Sequence, residues 1–436
     1  MKLAGREISR VGVLGFARTG RAVTNFLLAR GVEPFVSDSN PLVDDARAWL
    51  KGAGIAYEEG GHTAELLTQD LIVLSPVVSP RLPLLNEARQ NGILVISELD
   101  LATQVCPMPP IIAVTGTNGK STTVLFIEAL LRRRGLAAIV AGNIGTPVVS
   151  IVEEAKTCDA LVIETSSFQL EQSLFFHPRV AVLLNISHDH LDRHKTMSAY
   201  AAAKARIFRN QTEEDVAIIP SGLASAFPGI AGRKVLFDRV RLPSCSAVSA
   251  LPPHNRSNLQ AAIAACTAIF PSLDIGPISA GELEEAFALP YRLHDEGEID
   301  GIRLINDSKS TNADSAVAAL HSVRGPLVLL LGGQQKGGGY DALAEEISKR
   351  SVRTVVVYGE AAPFLFEVLQ RREEITVLLS SDFESAVRIA QGVAHPGDTL
   401  LFSPACSSYD QFRDYIDRGA AFSRLIRISE RDGAPS

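Results

Sequence analysis

Ile111-Ile112-Ala113-Val114-Thr115-Gly116-Thr117-Asn118-Gly119-Lys120-Ser121-Thr122-Thr123 is the stretch that decides the fold. Four apolar residues and a threonine read as a buried strand, two glycines frame a polar turn, and the run through Arg134 reads as a helix. In that order they make a cradle for an anionic phosphate. Glycines let backbone N–H groups wrap the anion, and the helix N-terminus adds the positive end of its dipole. Lys120 is placed to reach the terminal phosphates, and Ser121 to bind Mg²⁺. The usual pattern has a further glycine five residues before Gly119, where this chain has Val114. The match is therefore to a shorter variant in which Thr115-Gly116 supplies the turn. The competing reading is a strand–helix turn whose Lys-Ser pair is accidental; the flanking elements and the double threonine favour ATP.

Upstream, the proline-rich break Cys106-Pro107-Met108-Pro109-Pro110 separates this unit from an earlier one. That earlier unit opens with the strand Val11–Gly15, a turn, a helix from Arg21 to Arg30 ended by Gly31, and a second strand, Pro34–Asp38, closing in a carboxylate. Leu71–Pro76 and Leu94–Ile96 continue the short apolar strands. This is a Rossmann-type opening, but Gly12, Gly15 and Gly20 do not make G-x-G-x-x-G. A mononucleotide or nucleotide-sugar pocket suits it better than a nicotinamide cofactor.

Downstream of the phosphate loop, strands are expected to end at Glu164 and at Ser187. From Pro290 onward strands alternate with helices: around Arg303–Ile305, Pro326–Leu331, Thr354–Tyr358, Thr376–Leu379 and Thr399–Phe402, with a helix over Asp382–Ala394. The fold class expected is α/β in three domains: Rossmann-like (1–98), a central P-loop ATPase with a mainly parallel sheet (99–289), and Rossmann-like again (290–436).

Composition narrows the function. The chain of 436 residues is 46% hydrophobic and 21% charged with a net charge of −7, which argues against broad binding to nucleic acid. The five cysteines are scattered without metal or redox spacing, the sign of a reducing, cytoplasmic setting. The N-terminus lacks an apolar signal core, and no run approaches the roughly 20 apolar residues of a membrane span.

Several polar groups follow strands, where a parallel sheet places its chemistry. Glu164 closes one strand ahead of Thr165-Ser166-Ser167; it reads as a Mg²⁺ ligand, or alternatively as a helix cap. Asn185-Ile-Ser-His-Asp-His-Leu-Asp-Arg-His194 holds three histidines and two aspartates. Zinc would need further ligands of matching geometry, so one histidine beside a second metal or an amine nucleophile is preferred. Lys204, in a helix around Tyr200–Phe208, reads by itself as a solvated residue; the functional alternative is a carbamate formed with CO₂, which the residues alone do not select. Three loops near the C-terminus carry Lys309 and Thr311, Lys336, and Ser408 and Tyr409, groups suited to a small carboxylic acid.

Together, Gly116–Thr123, Glu164–Glu171, His188–Asp192, the Lys204 helix, Asn306–Asn312 and Ser403–Phe412 resemble the Mur ligase family over essentially the whole chain. The resemblance implies a nucleotide-sugar domain, an ATPase domain and an amino-acid domain that close on one another. It also implies an ATP-dependent ligase of bacterial cell-wall synthesis that activates a carboxylate as an acyl phosphate. By resemblance, Gly116, Thr117, Asn118, Gly119, Lys120, Ser121 and Thr122 hold ATP, with Asn143 and Glu164 near the γ-phosphate and Mg²⁺. Asn255, Asn258, Arg292 and Asp307 match the nucleotide contacts. His190 matches the metal histidine and Lys204 the carbamylated lysine. Lys120, Glu164, His190 and Lys204 would carry catalysis; Ser121, Glu164, His190 and Lys204 would hold metal. Thr311, Lys336, Ser408 and Tyr415 match the D-glutamate contacts, joined on the substrate side by Asn143, Ser166, Lys309 and Tyr409. Thr19, Asp38 and Ser75 lie where the family binds a UDP-sugar. The chain departs from the pattern at Val77, where the family usually has glycine, and at Ser39-Asn40, which supply no basic residue.

The partners implied are small molecules only: ATP with two Mg²⁺, a UDP-N-acetylmuramoyl substrate and D-glutamate, with the protein a monomer and neither nucleic acid nor membrane involved. Three rivals are weighed against this. A folylpolyglutamate synthase places its phosphate loop near the N-terminus, whereas here a whole α/β unit precedes it. A non-catalytic nucleotide-binding module and an NAD-dependent oxidoreductase are the others.

Overall fold

The computed structural model describes residues 1–287 and 289–432. The chain divides into two compact units, Met1–Asn185 with Ala201–Ala286, and Ile186–Tyr200 with Phe287–Ser436. Mainly parallel sheets of an α/β protein run through both. Among the described residues, no helix is long and apolar enough to cross a membrane.

The first sheet of the larger unit comprises β1 (Arg10–Leu14), β2 (Glu33–Asp38), β3 (Ala56–Glu59), β4 (Leu71–Leu74) and β5 (Leu94–Ser97), in the order β3-β2-β1-β4-β5 and all parallel. The Leu71-Ile-Val-Leu74 run is buried throughout because helices cover both faces. Strand order reverses at β1, so the loops after β1 and β4 flank the crevice where such sheets take ligands. Helix α1 (Arg18–Leu28) starts three residues before the position read from sequence. Gly20 is the reason: a Cβ there would lie 2.0 Å from the Gly15 carbonyl oxygen, so only glycine lets the helix begin against the turn.

The second sheet contains β6 (Ile111–Thr115), β7 (Ala138–Gly142), β8 (Ala160–Glu164), β9 (Val180–Leu183), β10 (Val216–Ile219) and β11 (Arg233–Leu236). Its order is β11-β10-β9-β6-β8-β7, again all parallel. The strand expected to reach Ser187 stops at Leu183. Past it, the Asn185 carbonyl accepts from the Thr117 N–H at 3.0 Å, so the backbone leaves the ladder to serve the loop after β6.

Buried polar groups join the two sheets. After α2 (Asp44–Gly52) and α3 (Pro83–Gln90), helix α4 (Glu98–Val105) begins on a capping box of Ser97 and Asp100. The Asp100 carboxylate then accepts the N–H groups of Leu174, Phe175 and Phe176, each at 2.8 Å. The Gln172 side-chain amide donates to the carbonyls of Ser75 (3.1 Å), Pro76 (3.1 Å) and Val78 (2.8 Å).

In the smaller unit, β12 (His294–Ile299), β13 (Ile302–Asn306), β14 (Leu327–Gly332), β15 (Val352–Tyr358), β16 (Thr376–Leu379) and β17 (Thr399–Ala405) line up as β12-β13-β17-β14-β15-β16. Only β12 is antiparallel to its neighbour. Its polar sequence, His294-Asp-Glu-Gly-Glu-Ile299, hid it from the sequence reading, and it survives because an edge strand needs little apolar surface. Helices α9 (Ala313–Ser322), α10 (Tyr340–Ser348) and α11 (Ala362–Gln370) pack one face of the sheet. Helices α12 (Phe383–Val393) and α13 (Tyr415–Asp432) pack the other.

Glu98, 2% exposed, accepts the Val149 N–H at 2.8 Å, and burial pushes its carboxyl up to about 7 from 4.5. A carboxyl raised on folding gives stability that is complete below the unfolded value and lost as pH rises through the folded one. Relative to Glu98→Gln, the native protein should therefore lose about 3 kcal/mol between pH 4.5 and 7. Unfolding midpoints of both proteins measured across that range check this; parallel profiles would refute it.

Candidate active site

The loop after β6 is held open by its neighbours. Gly119 has φ +87, and a Cβ there would sit 2.3 Å from Asn258 Oδ1, so glycine is required both by conformation and by space. Helix α5 (Lys120–Arg132) starts immediately after it. Asn258 and Asn255 are buried in the N-terminal half of α8 (Pro253–Ile269), where Asn258 backs the loop at Gly119 and its Nδ2 donates to Asn255 Oδ1 at 3.3 Å. Lys120 Nζ donates to the carbonyls of Gly116 (3.0 Å) and Thr117 (2.8 Å).

Glu164, 2% exposed at the end of β8, accepts from Ser121 Oγ at 2.7 Å through Oε2 and from Asn143 Nδ2 at 2.6 Å through Oε1. It is not the helix cap of the alternative reading. That role falls to Ser166, whose hydroxyl accepts the Gln169 N–H at 3.2 Å to start α6 (Ser167–Gln172). Lys204, in α7 (Met197–Ala205), is 1% exposed and donates to the Gly116 carbonyl at 2.7 Å. The solvated reading of this lysine is thereby overturned, because both lysine ammonium groups share one loop carbonyl. Thr122 Oγ1 is buried with no hydrogen-bond partner among the described residues.

A hydroxyl and a carboxylate in contact are hard oxygen donors, the set Mg²⁺ prefers, so Ser121 and Glu164 fit that ion. His190 belongs to the other compact unit. Among the described residues, no three His, Cys, Asp or Glu side chains gather to hold a metal.

At the N-terminal crevice, Ser75 Oγ donates to the Gly15 carbonyl at 2.7 Å, and Asp38 accepts the Phe16 N–H at 2.7 Å. Both groups therefore shape the turn after β1, with Thr19 half-buried in the first turn of α1.

In the smaller unit, the loops after β13, β14 and β17 come together because these three strands are adjacent and parallel. Lys336 Nζ donates to Thr311 Oγ1 at 3.3 Å, and Lys309 Nζ lies 4.1 Å from the centre of the Tyr415 ring. Asp189, 5% exposed, accepts from Asn312 Nδ2 at 3.0 Å, and Lys336 Nζ lies 3.9 Å from it. His190 sits at φ +53 with its N–H bonded to Asp189 Oδ1 at 2.9 Å. Ser408 is buried and Tyr409 exposed. Asp307 is buried and accepts from Ser310 (2.5 Å) and Ser403 (2.8 Å); burial pushes its carboxyl up to about 6. Its carboxylate organises the turn that also carries Arg292 and Leu293, whose N–H it accepts at 3.1 Å.

Asn185 was missed as a site residue. Its Oδ1 accepts the Asn118 N–H at 2.9 Å and its Nδ2 donates to the Asn118 carbonyl at 3.0 Å. The available signal was an amide directly after the apolar run Val180–Leu184, at a strand end beside the phosphate loop.

Comparison with known proteins adds an independent line. Three family models match: the MurD N-terminal domain over residues 10–83, the Mur ligase middle domain over 114–226, and the Mur ligase, glutamate ligase domain over 292–406. The UDP-N-acetylmuramoylalanine–D-glutamate ligase of Pelotomaculum thermopropionicum is 36% identical, with 96% of this chain and 97% of that protein covered. The enzyme of the same name from Salinibacter ruber is 37% identical at the same coverage. That from Geotalea uraniireducens is 36% identical with both chains fully covered, at 100% each. Among solved structures, the MurF ligase of Thermotoga maritima in complex with ADP has a TM-score of 0.57 at 16% identity, covering 98% of this chain and 97% of that one. The murein peptide ligase of Psychrobacter arcticus has a TM-score of 0.55 at 16% identity, covering 98% and 100%. At such identities the structural likeness speaks for the fold alone.

Asn185→Ala removes the clamp on Asn118 and should weaken ATP binding roughly tenfold, the equivalent of about 1.4 kcal/mol. Equilibrium nucleotide titration reads the change; an unaltered affinity would show that the loop holds its shape without Asn185.

Proposed function

Because this chain belongs to the Mur ligase family, we infer that it adds D-glutamate to UDP-N-acetylmuramoyl-L-alanine, using ATP, in bacterial peptidoglycan synthesis. What carries the reading is kinship along the whole chain, at 35–37% identity, with enzymes that bear that reaction in their name. The match of residues 10–83 to the MurD N-terminal model supports the choice within the family.

The chemistry proceeds in two displacements. The carboxylate of the nucleotide substrate attacks the γ-phosphate of ATP, giving an acyl phosphate and ADP. The amine of D-glutamate then attacks the acyl carbon, loses a proton, and expels phosphate as the amide forms. Lys120 turns from the loop carbonyls it now meets to the phosphate oxygens, offsetting charge as it builds. The N–H groups of Gly116–Thr122 cradle the phosphates, with Asn255 and Asn258 behind them and Arg292 and Asp307 assigned to the nucleotide. Ser121 and Glu164, with His190 and Lys204, are assigned to hold magnesium. Bound there, the ion would neutralise phosphate charge and polarise the γ-phosphoryl group. Asn143 keeps the Glu164 carboxylate aimed, through the 2.6 Å bond between them.

Lys204 is assigned a carbamate: the neutral amine adds to CO₂, forming an N–C bond and releasing a proton, so that a cation becomes an oxygen-bearing anion. Its burial beside Gly116 supports this, since the group sits at the phosphate loop and away from bulk water. Lys309, Thr311, Lys336, Ser408, Tyr409 and Tyr415 are assigned to D-glutamate, and Thr19, Asp38, Ser75, Asn143 and Ser166 to the nucleotide substrate. The domains proposed are 1–98, 99–289 and 290–436. The protein is proposed to act as a cytoplasmic monomer; its five cysteines, all unpaired, suit a reducing compartment.

Purified protein given ATP, Mg²⁺ and UDP-N-acetylmuramoyl-L-alanine should release phosphate in proportion to D-glutamate and to no other member of an amino-acid panel. Equal release without any amino acid would defeat the coupling. Stripping CO₂ and bicarbonate should lower the rate, and restoring them should recover it; Lys204→Arg should be inactive in both conditions. A rate indifferent to CO₂ would remove the carbamate and leave the ligase reading standing.

A further inference from the structure

Arg418 lies in the first turn of α13 and is 0% exposed, the largest side chain so completely buried among the described residues. Burying a guanidinium is costly unless its donors are met and its charge is balanced. The donors are met at the ends of the three strands that carry the amino-acid rim, with the Tyr358 side chain at the end of β15 beside the guanidinium. Nε donates to Ser308 Oγ at 3.1 Å, and Nη2 to the Ser308 carbonyl at 2.9 Å. Nη1 donates to the Cys406 carbonyl at 3.0 Å and, more weakly, to the Gly332 carbonyl at 3.5 Å. Ser308 immediately precedes Lys309, Cys406 lies two residues before Ser408, and Gly332 opens the loop that bears Lys336.

The rest of the surroundings are built for this one side chain. A Cβ at Gly333 would meet Nη1 at 3.0 Å, and the Phe402 ring lies 5.8 Å from the guanidinium carbon. Ser308 Oγ passes the link on by donating to the Tyr415 carbonyl at 2.8 Å, at the head of the same helix. Among the described residues no carboxylate forms an ion pair with Arg418. Asp410, the acid of the adjoining loop, instead accepts the Glu360 N–H at 3.2 Å. All these hydrogen-bond partners are neutral, and the Asp410 carboxylate acts on the same buried groups, Tyr358 and Cys406, as the guanidinium does.

We propose that Arg418 is a positioning residue for D-glutamate, locking the ends of β13, β14 and β17 in register beneath the rim they form. This rests on the assignment of that rim to the amino acid. A planar fork of fixed donors suits the task better than an ammonium, because three carbonyl-bearing loops must be met at once.

Steady-state kinetics of Arg418→Gln and Arg418→Lys, with each of the three substrates varied in turn, test it. Arg418→Gln should raise KM for D-glutamate at least tenfold while KM for ATP and for the nucleotide substrate stay within twofold. Arg418→Lys keeps the charge and loses the fork, and should raise only the D-glutamate KM, by about threefold. A D-glutamate KM within twofold of native in Arg418→Gln, or three KM values rising together, overturns the proposal, since a purely structural role would not single out one substrate. Should Arg418→Gln fail to fold, Arg418→Lys decides: a rise above twofold confined to D-glutamate supports the proposal, and anything less sinks it. Native protein that never responds to D-glutamate would instead refute the assigned reaction, so the two failures are told apart.

Discussion

Ser121 Oγ meets Glu164 Oε2 at 2.7 Å, and this contact exists only because β6 and β8 are adjacent, parallel and in register. Parallel strands deliver all their C-terminal ends to one edge, so residues far apart in the chain arrive side by side. The phosphate loop leaves β6 at that edge. Glu164 comes from β8 on one side, Asn185 from the end of β9 on the other, and Asn143 from the end of β7 beyond β8. Displacing either neighbour by one residue would turn its side chains to the opposite face and empty the edge of donors.

The smaller unit repeats the principle with different chemistry. There the adjacent ends of β13, β17 and β14 gather lysines and hydroxyls in place of glycines and a carboxylate. Asp189 and Asn312 are locked together at 3.0 Å, and Asp307 is closed off by two serine hydroxyls. Each buried acid holds backbone or neighbouring side chains in place, and Asp189 also lies 3.9 Å from the Lys336 ammonium. The same economy of roles appears in the larger unit, where Asp100 accepts three consecutive N–H groups and Gln172 donates to three carbonyls of one turn. A buried carboxylate such as Asp100 is costly unless its oxygens are met, so its three N–H bonds fix one arrangement against its competitors.

How far the chain could be read without coordinates depended on the distance over which each feature is encoded. The strand–glycine–lysine run at 111–123, the apolar strands and the helix over Asp382–Ala394 were legible because their signals lie within a few residues. So was the place of Gly119 ahead of the helix, whereas its tight fit beside Asn258 was not. The edge strand His294–Ile299 was not, because a strand held mainly by one neighbour's backbone carries no apolar alternation. The early end of β9 was not either, since the chain leaves the ladder to satisfy the N–H of Thr117, far upstream in the sequence.

By itself, then, the sequence determined that this is an α/β chain with a strand–glycine–lysine turn in its middle and polar, lysine-bearing loops after strands towards its end, and the family resemblance supplied the proposed roles. Tertiary structure alone decided that Ser166 is a cap while Glu164 is not, that Lys204 is buried against Gly116, that Asn185 clamps the loop, and that Arg418 ties three strand ends together. The physical reason is that propensity and periodicity act between neighbours in sequence, whereas a side chain's partner is set by strand order and register, which are properties of the whole packed sheet.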